Sequence, residues 1–354
     1  MTEKRAPEPL DVAASALLKR LNQAALVPAI ALIAELEIPD LLADGEQTAG
    51  ALARKTGSDP QALYRMLRAL AADGVFEEKP GRVFKNTALA EHLRKKHPNS
   101  LHGIARMAGA SWNWNTWGHL PHSIRTGQSA FANLHGCGLF EFLKTSPPAA
   151  RIFHDAMGSG ARSAAADVLS AYAFGARPRH FVDVGGGVGH LLFPLLATHI
   201  EHIGTLFDVP NVAPAAEEGI RANALETRCA FVGGNFFDHV PPGADTYILR
   251  NILHDWDDER ARRILDRCAS AMGAESRLII IERVLDVGGL GALHDLQMLL
   301  LTSGGKERTL AEFEELLAGA GLTLDETIST PAQRVLLIAR KSQNGFHAGS
   351  STSP

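Results

Sequence analysis

Residues 180–190 read His-Phe-Val-Asp-Val-Gly-Gly-Gly-Val-Gly-His, a run of β type that passes straight into glycines. No other feature restricts the fold of this chain as strongly. Glycine directly after a strand lets the backbone turn through positive φ and approach a bound molecule closely. In open α/β sheets, ligands bind just outside the carboxyl ends of the strands. From His180 onward, short apolar runs (HFVDV, IGTLFD, RCAFVG, DTYILR, RLIIIE) alternate with amphipathic stretches of helical period. Two further β-like runs, 322–327 and 334–339, close the chain. Alternation of this kind makes a mostly parallel sheet with helices on both faces.

Two ligand classes compete for the glycine loop. Dinucleotide binders need G-x-G-x-x-G, and counted from Gly185 the third glycine position falls on His190. No G-K-[ST] is present to make a phosphate loop. The pattern found is D-x-G-x-G-x-G, from Asp183 through Gly185 and Gly187 to Gly189, with Gly186 between. An acid ahead of the loop suits an amino-acid ammonium, which points to S-adenosylmethionine (SAM), a cofactor without a pyrophosphate. The next strand ends in Asp208, followed by Val209, where a carboxylate can accept both ribose hydroxyls. After the third strand come Asn235 and Phe236, an amide for the polar edge of adenine and a ring for its face. A glycine-rich turn alone is a weak signal; three stations in this order specify a nucleoside-bearing cofactor.

Upstream the chain is of another kind. Residues 17–38 carry apolar side chains on nearly every side, interrupted by Pro28, which should kink or divide a helix. A helix apolar all round must be covered all round, and a domain this small leaves part of it to face a second subunit. Residues 48–57 and 58–70 read as two short helices joined at Gly57, with Ser58 or Asp59 as N-cap and Pro60 in the first turn. A hairpin over 75–85, turning at Gly81, completes a winged helix. The stretch 112–153 is rich in aromatic residues and reads as irregular to helical. The polar, Gly/Ser-rich residues 342–354 read as a frayed tail. The domains expected are therefore 1–105, helical and dimerising; 106–178, linking helices that help form a pocket; and 179–341, binding the cofactor.

The 354 residues carry a formal net charge of −4, which offers no general attraction to nucleic acid or to anionic membrane. The three cysteines are scattered and form neither a disulfide framework nor a zinc motif. There is no signal-type apolar segment at the N-terminus and no run of 18 apolar residues. The chain is expected to be cytoplasmic.

The segments FVDVGGGVGHLL, LFDVP, VGGNFF, ILRNILHDWDDERARRIL, LIIIERVL and GGKERTLAEFEELLAGAGL are collinear over 180–321. In them the chain resembles the SAM-dependent small-molecule O-methyltransferases of the plant caffeate and isoflavone type and their bacterial antibiotic-pathway relatives. The resemblance implies a Rossmann-like α/β domain of class I with a mostly parallel seven-stranded sheet. It also implies a homodimer through the N-terminal helices, and SAM as cofactor without a metal. By motif, Asp183, Gly185, Gly186, Gly187, Asp208, Val209, Asn235, Phe236 and Arg250 would hold the cofactor. Asn235 stands where the family has aspartate, and Arg250 where a lysine is common. His254 would be the general base, oriented by Glu282 or Glu307, with Asp255 as the local alternative. A neutral imidazole of pKa ~6.5 within reach of a phenol of pKa ~10 can take its proton as the new bond forms. Trp112, Trp117, Phe140, Phe153, Met157, Met298 and Thr302 would line an acceptor pocket. Trp112, Trp114 and Trp117, crowded together, and a pair of methionines suit a flat polycyclic phenol, such as a hydroxylated phenazine, an anthracycline or another aromatic polyketide.

Two other readings stay open at this point. One is a relative of the same fold that methylates nitrogen, which needs no base, or that binds SAM without methylating; His254, Glu282 and Glu307 speak against both. A winged-helix regulator of DNA would use Arg54, Lys55, Arg65 and Arg68, but Asp59, Glu77 and Glu78 offset that charge and no basic stripe forms.

Overall fold

The computed structural model describes residues 11–173, 177, 179–287, 291–330 and 334–342. The tail expected over 342–354 lies outside the described residues except for Ser342. The chain forms two compact units, Met1–Asn115 with Ser146–Gly160, and Thr116–Thr145 with Ala161–Pro354. The stretch 106–178, expected to link two domains, is thus divided between both units. The aromatic-rich residues are more regular than expected: helices run Ser111–Gly118, Leu120–Thr126, Ala130–His135, Leu139–Thr145 and Pro147–Ala171.

In the first unit, helices Val12–Gln23 and Leu26–Glu35 break at Ala24–Ala25 rather than at Pro28. Pro28 sits in the first turn of the second helix, where its missing N–H has no partner to lose. Helix Ala49–Thr56 starts on Thr48, whose side chain accepts from Ala51 N–H, and ends at Gly57 in the left-handed region. Helix Pro60–Ala72 is capped by Asp59, which accepts from Gln61 and Ala62 N–H at 3.0 and 2.8 Å. Strands β1 (Gln47–Thr48), β2 (Phe76–Lys79) and β3 (Val83–Asn86) make a small antiparallel sheet in the order β1-β3-β2. Ile33, Leu52, Leu67, Phe76 and Phe84 fill the core beneath these elements. Helix Val12–Gln23 buries nothing, leaving Val12, Leu17, Leu18 and Leu21 exposed. Val12–Glu35 is also the one stretch among the described residues long and apolar enough to cross a membrane, by length and composition alone.

The second unit is built on β4 (His180–Val184), β5 (Ile203–Asp208), β6 (Cys229–Gly233), β7 (Thr246–Arg250), β8 (Arg277–Glu282), β9 (Leu322–Ser329) and β10 (Val335–Lys341). They form one seven-stranded sheet in the order β6-β5-β4-β7-β8-β10-β9. Neighbours from β6 through β8 are parallel, and β10 runs antiparallel to both β8 and β9. Both faces are covered, which is why the parallel strands read as continuous apolar runs rather than as alternation. Leu278 and Ile280 of β8 point into a core shared with Val182, Tyr247, Ile264 and Phe313. Ile279 and Ile281 point the other way, to Phe181, Leu192, Leu206 and Ile220. The strand order reverses on either side of β4, and the crevice at such a switch point is where this architecture binds ligands.

Candidate active site

Each of the five parallel strands brings candidate site residues to its carboxyl end. Asp183 and the glycines follow β4, Asp208 ends β5, Asn235–Phe236 follow β6, Arg250 ends β7, and Glu282 ends β8. The register makes this possible: Asp183 pairs with Leu206 on one side and Ile248 on the other, so the strand ends lie level.

The glycine loop is held from β5. Gly185 N–H donates to Phe207 O at 2.8 Å, and Gly187 N–H donates to Asp208 Oδ2 at 2.8 Å. The other oxygen of Asp208 accepts from Val209 N–H at 2.7 Å. Gly185 has φ +71°, which favours glycine, and a Cβ there would sit 2.4 Å from Ile252 Cδ1, so that side chain would have to shift. Gly187 has φ +56° and faces open space, leaving loop backbone accessible to a ligand. Asp183 is buried beneath Gly186. Burial pushes its pKa up to about 7; Arg250 opposes this and Asp208 adds to it. An ammonium placed beside Asp183 would restore the carboxylate. Burial likewise lowers the Arg250 guanidinium from its ordinary value, against Asp183 and Glu282.

Asn235 is exposed. Its Oδ1 accepts from Phe237 N–H at 3.0 Å and its Nδ2 donates to Asp238 at 3.1 Å, leaving one lone pair on the carbonyl for an adenine amine. Phe236 belongs to an aromatic wall that the sequence did not reveal: Trp256 meets Phe237 edge-on at 4.8 Å and Phe236 at 6.2 Å, and stacks with Phe140 at 6.1 Å. Its position two residues after His254 was the available signal.

His254 sits on a 3₁₀ turn, Leu253–Asp255, directly after β7. Its Nδ1 hydrogen-bonds Glu307 Oε1 at 3.1 Å. Glu282 Oε2 lies 3.2 Å from the same nitrogen but out of hydrogen-bond alignment. Glu282 instead fixes the turn, its Oε1 accepting from Ile252, Leu253 and His254 N–H at 3.0, 2.9 and 3.4 Å. Both acids considered as orienting groups therefore converge on one ring nitrogen, one binding the ring and the other the backbone. Asp255 Oδ1 stands 3.7 Å from Nε2, on the opposite side of the imidazole. Burial pushes the His254 pKa down, but Glu282, Asp255 and Glu307 together raise it to about 9. Burial lifts Asp255 to about 6. Glu282 is raised by burial and by Glu307, whereas two imidazoles overcome burial at Glu307 and hold it below the ordinary range.

Arg308 is fully buried and braces this loop. It donates to Leu253 O at 2.9 Å and Trp256 O at 2.8 Å, on either side of His254–Asp255, and pairs with Asp258. A capping box at Thr309 and Glu312 then starts helix Leu310–Gly319 immediately after Glu307–Arg308. Arg334, also absent from the sequence reading, donates to Asn251 Oδ1 at 2.5 Å; Asn251 has φ +53°.

The expected acceptor residues fall in both units. Trp112, Phe153 and Met157 belong to the first, Trp117, Phe140, Met298 and Thr302 to the second. Trp112 and Met298 are buried, while Phe140 and Met157 are exposed. Thr302 already donates to Met298 O and accepts from Gly305 N–H.

The family description "O-methyltransferase domain" matches residues 117–323, and "O-methyltransferase dimerisation domain" matches 18–96. The mitomycin biosynthesis 6-O-methyltransferase of Streptomyces lavendulae is 36% identical over 345 residues, 96% of this chain and 99% of that one. The crystal structure of LaPhzM superposes with a TM-score of 0.88 at 36% identity, over 94% of this chain and 100% of that one. An O-methyltransferase from neocarzinostatin biosynthesis, solved with SAM and 2-hydroxy-5-methyl naphthoic acid, gives a TM-score of 0.76 at 35% identity, over 92% of this chain and 98% of that one. With one family description covering its N-terminal helices and the other the greater part of its sheet, the chain belongs to the O-methyltransferase family and carries that family's dimerisation domain ahead of the catalytic one.

Proposed function

We propose that the protein transfers a methyl group from SAM to a phenolic hydroxyl of a flat, polycyclic aromatic secondary metabolite, with His254 as general base. SAM supplies an electrophilic methyl on a good leaving group, so the protein's tasks are placement and proton removal. Asp183, the loop of Gly185, Gly186 and Gly187, Asp208, Val209 and Arg250 would hold the amino-acid and ribose parts, with Asn235 and Phe236 at the adenine. The carbon–sulfur bond breaks as the carbon–oxygen bond forms, the phenolic proton passes to His254 Nε2, and S-adenosylhomocysteine leaves. No metal is required. The observation that carries this reading is the arrangement around one imidazole: Glu307 secures Nδ1, which leaves Nε2 for the acceptor. The raised pKa brings the base close to that of a phenol, where proton transfer is nearly balanced.

Within the second unit, Trp117, Phe140 and Met298 are the proposed acceptor contacts, in keeping with the naphthoic acid bound by the neocarzinostatin-pathway relative. The exposed apolar face of Val12–Gln23, with the dimerisation match over 18–96, supports a homodimer through these helices rather than a membrane segment. Three free cysteines agree with a reducing, cytoplasmic setting. The test is a panel of hydroxylated phenazines, naphthoates and anthracyclinones incubated with methyl-labelled SAM, using wild type and His254→Ala. Transfer to a phenolic oxygen by wild type alone, with SAM binding intact in both, is the expected result. Undiminished turnover by His254→Ala would remove the base from the mechanism.

A further inference from the structure

His254 does not have Glu307 to itself. Nδ1 of His294 lies 3.1 Å from Glu307 Oε1, the oxygen that His254 Nδ1 bonds. The two imidazoles stack, with centroids 6.0 Å apart and planes 19° apart. His294 arrives on helix Gly291–Leu301, which also carries Met298 and has no part in the motif around His254. Its Nδ1 is buried and, as oriented, forms no aligned hydrogen bond; Glu307 Oε2 is buried and unbonded as well. A buried ring N–H beside a carboxylate, with no other partner, is costly unless the two pair. At 3.1 Å the two atoms are already within hydrogen-bond distance.

We propose that His294 is a positioning residue for methyl transfer: its Nδ1–H donates to Glu307 Oε1, so that one carboxylate oxygen carries two imidazoles and its hold on His254 is shared. This rests on reading His254 as the base. The charged groups around the pair fix the state of each ring. Glu307 and His254 face His294 directly, and Arg283, following β8, adds positive charge; burial, the largest influence, lowers the His294 pKa from its ordinary value, which favours the neutral ring. Glu282, Asp255 and Arg334 also surround His254 and Glu307, and Asp295, next to His294, accepts from Glu307 N–H at 2.9 Å. A neutral N–H donor draws on the carboxylate's charge without adding a positive charge beside His254. Glu307 can then orient His254 firmly while raising its basicity less than an undivided carboxylate would.

Two variants separate the N–H from the ring. His294→Phe keeps a flat face against His254 and loses the donor. His294→Asn keeps an N–H close to the place of Nδ1–H and loses the ring. The readout is the pKa of His254 from its imidazole C2–H resonance in the full chain saturated with S-adenosylhomocysteine, assigned by its disappearance in His254→Gln. In His294→Phe the pKa should rise by about half a unit, equivalent to an about threefold smaller neutral fraction at pH 7. His294→Asn should titrate like wild type. An unmoved or lowered pKa in the Phe variant overturns the proposal. So does an Asn variant that moves as far as Phe, since only the ring would then matter. Methyl transfer by His254→Ala judges the base separately: a dead His254→Ala with an unmoved His294→Phe sinks His294's role alone.

Discussion

The two halves of the site are made of different material. The cofactor half is built mainly from backbone: a glycine loop whose N–H groups are tied to Phe207 O and Asp208, with little side chain between loop and ligand. The proposed catalytic half is built from side chains contributed by separate segments, His254 after β7, Glu282 on β8, His294 on a helix and Glu307 on the loop before Thr309. A backbone cradle tolerates changes in the groups it does not use and fails when its turns fail. A side-chain cluster fails group by group, and through charge. The halves should therefore respond to substitution in different quantities: affinity and stability on one side, turnover and pH dependence on the other.

The sharpest break between them is His254→Ala. Loss of a general base costs about 10²–10⁴-fold in turnover, and here the affinity for SAM should be unchanged, because among the described residues no proposed cofactor-side group hydrogen-bonds the imidazole. Single-turnover methyl transfer alongside calorimetric titration of SAM reads both numbers. A fall in affinity as large as the fall in turnover would mean that the halves are not separate.

Asp208→Ala should give the reverse pattern. The carboxylate holds Gly187 N–H and Val209 N–H and is the expected ribose acceptor. Removing hydrogen bonds to a charged group costs about 1.5–3 kcal/mol, so the Kd for SAM should rise about 10- to 100-fold while kcat at saturating SAM changes far less. A kcat that falls with unchanged Kd would place Asp208 in the wrong half.

Gly185→Ala tests the backbone directly. A non-glycine residue at left-handed φ costs about 1–3 kcal/mol, and its Cβ would press on Ile252 two residues before His254. A lowered melting temperature is expected together with weaker SAM binding. Wild-type stability would show that Ile252 moves away freely, and that this contact does not couple loop and catalytic turn.

The same contrast explains what could be read in the sequence. The loop, Asp208 and Asn235–Phe236 follow strands in one order at short range, so the proposed cofactor half could be named from local pattern, and the sheet was legible in the same way. His254 could be named because it stands in the motif ILRNILHDW just after an apolar strand. Glu282 and Glu307 could be named but not distinguished, since which acid reaches Nδ1 depends on how β8 and the Glu307 loop fold back on the turn. Trp256 was in view beside His254, yet only the packing against Phe140 and Phe237 gives it a place. His294 had no signal at all: its partner is 13 positions away on another element and pairs with it only in three dimensions. The break before Pro28 was missed, and the stretch 111–171, expected as irregular to helical, proved more regular, for a related reason. Aromatic residues have only modest helix propensity, and packing decided the matter.

The smallest effect expected comes from Glu307→Gln, and it is a change of pH rather than of rate at the optimum. Glu307 is one of three carboxylates that raise the His254 pKa from 6.5 to about 9. The base works only when unprotonated, so kcat/KM should rise with pH through the neutral range and level off near that value. Exchanging the carboxylate for an amide removes negative charge from beside Nδ1, which destabilises the imidazolium and lowers the pKa; the rising limb must move to lower pH. The amide oxygen can still accept from Nδ1–H, so orientation is largely kept, and at pH 7 the variant gains neutral base while losing some stabilisation of the imidazolium formed in the reaction. These two changes oppose one another near neutrality, which is why the displaced limb, and not the rate at a single pH, is the informative measurement. A limb that stays in place would assign the raised basicity to Glu282 and Asp255, and would leave Glu307 with orientation alone.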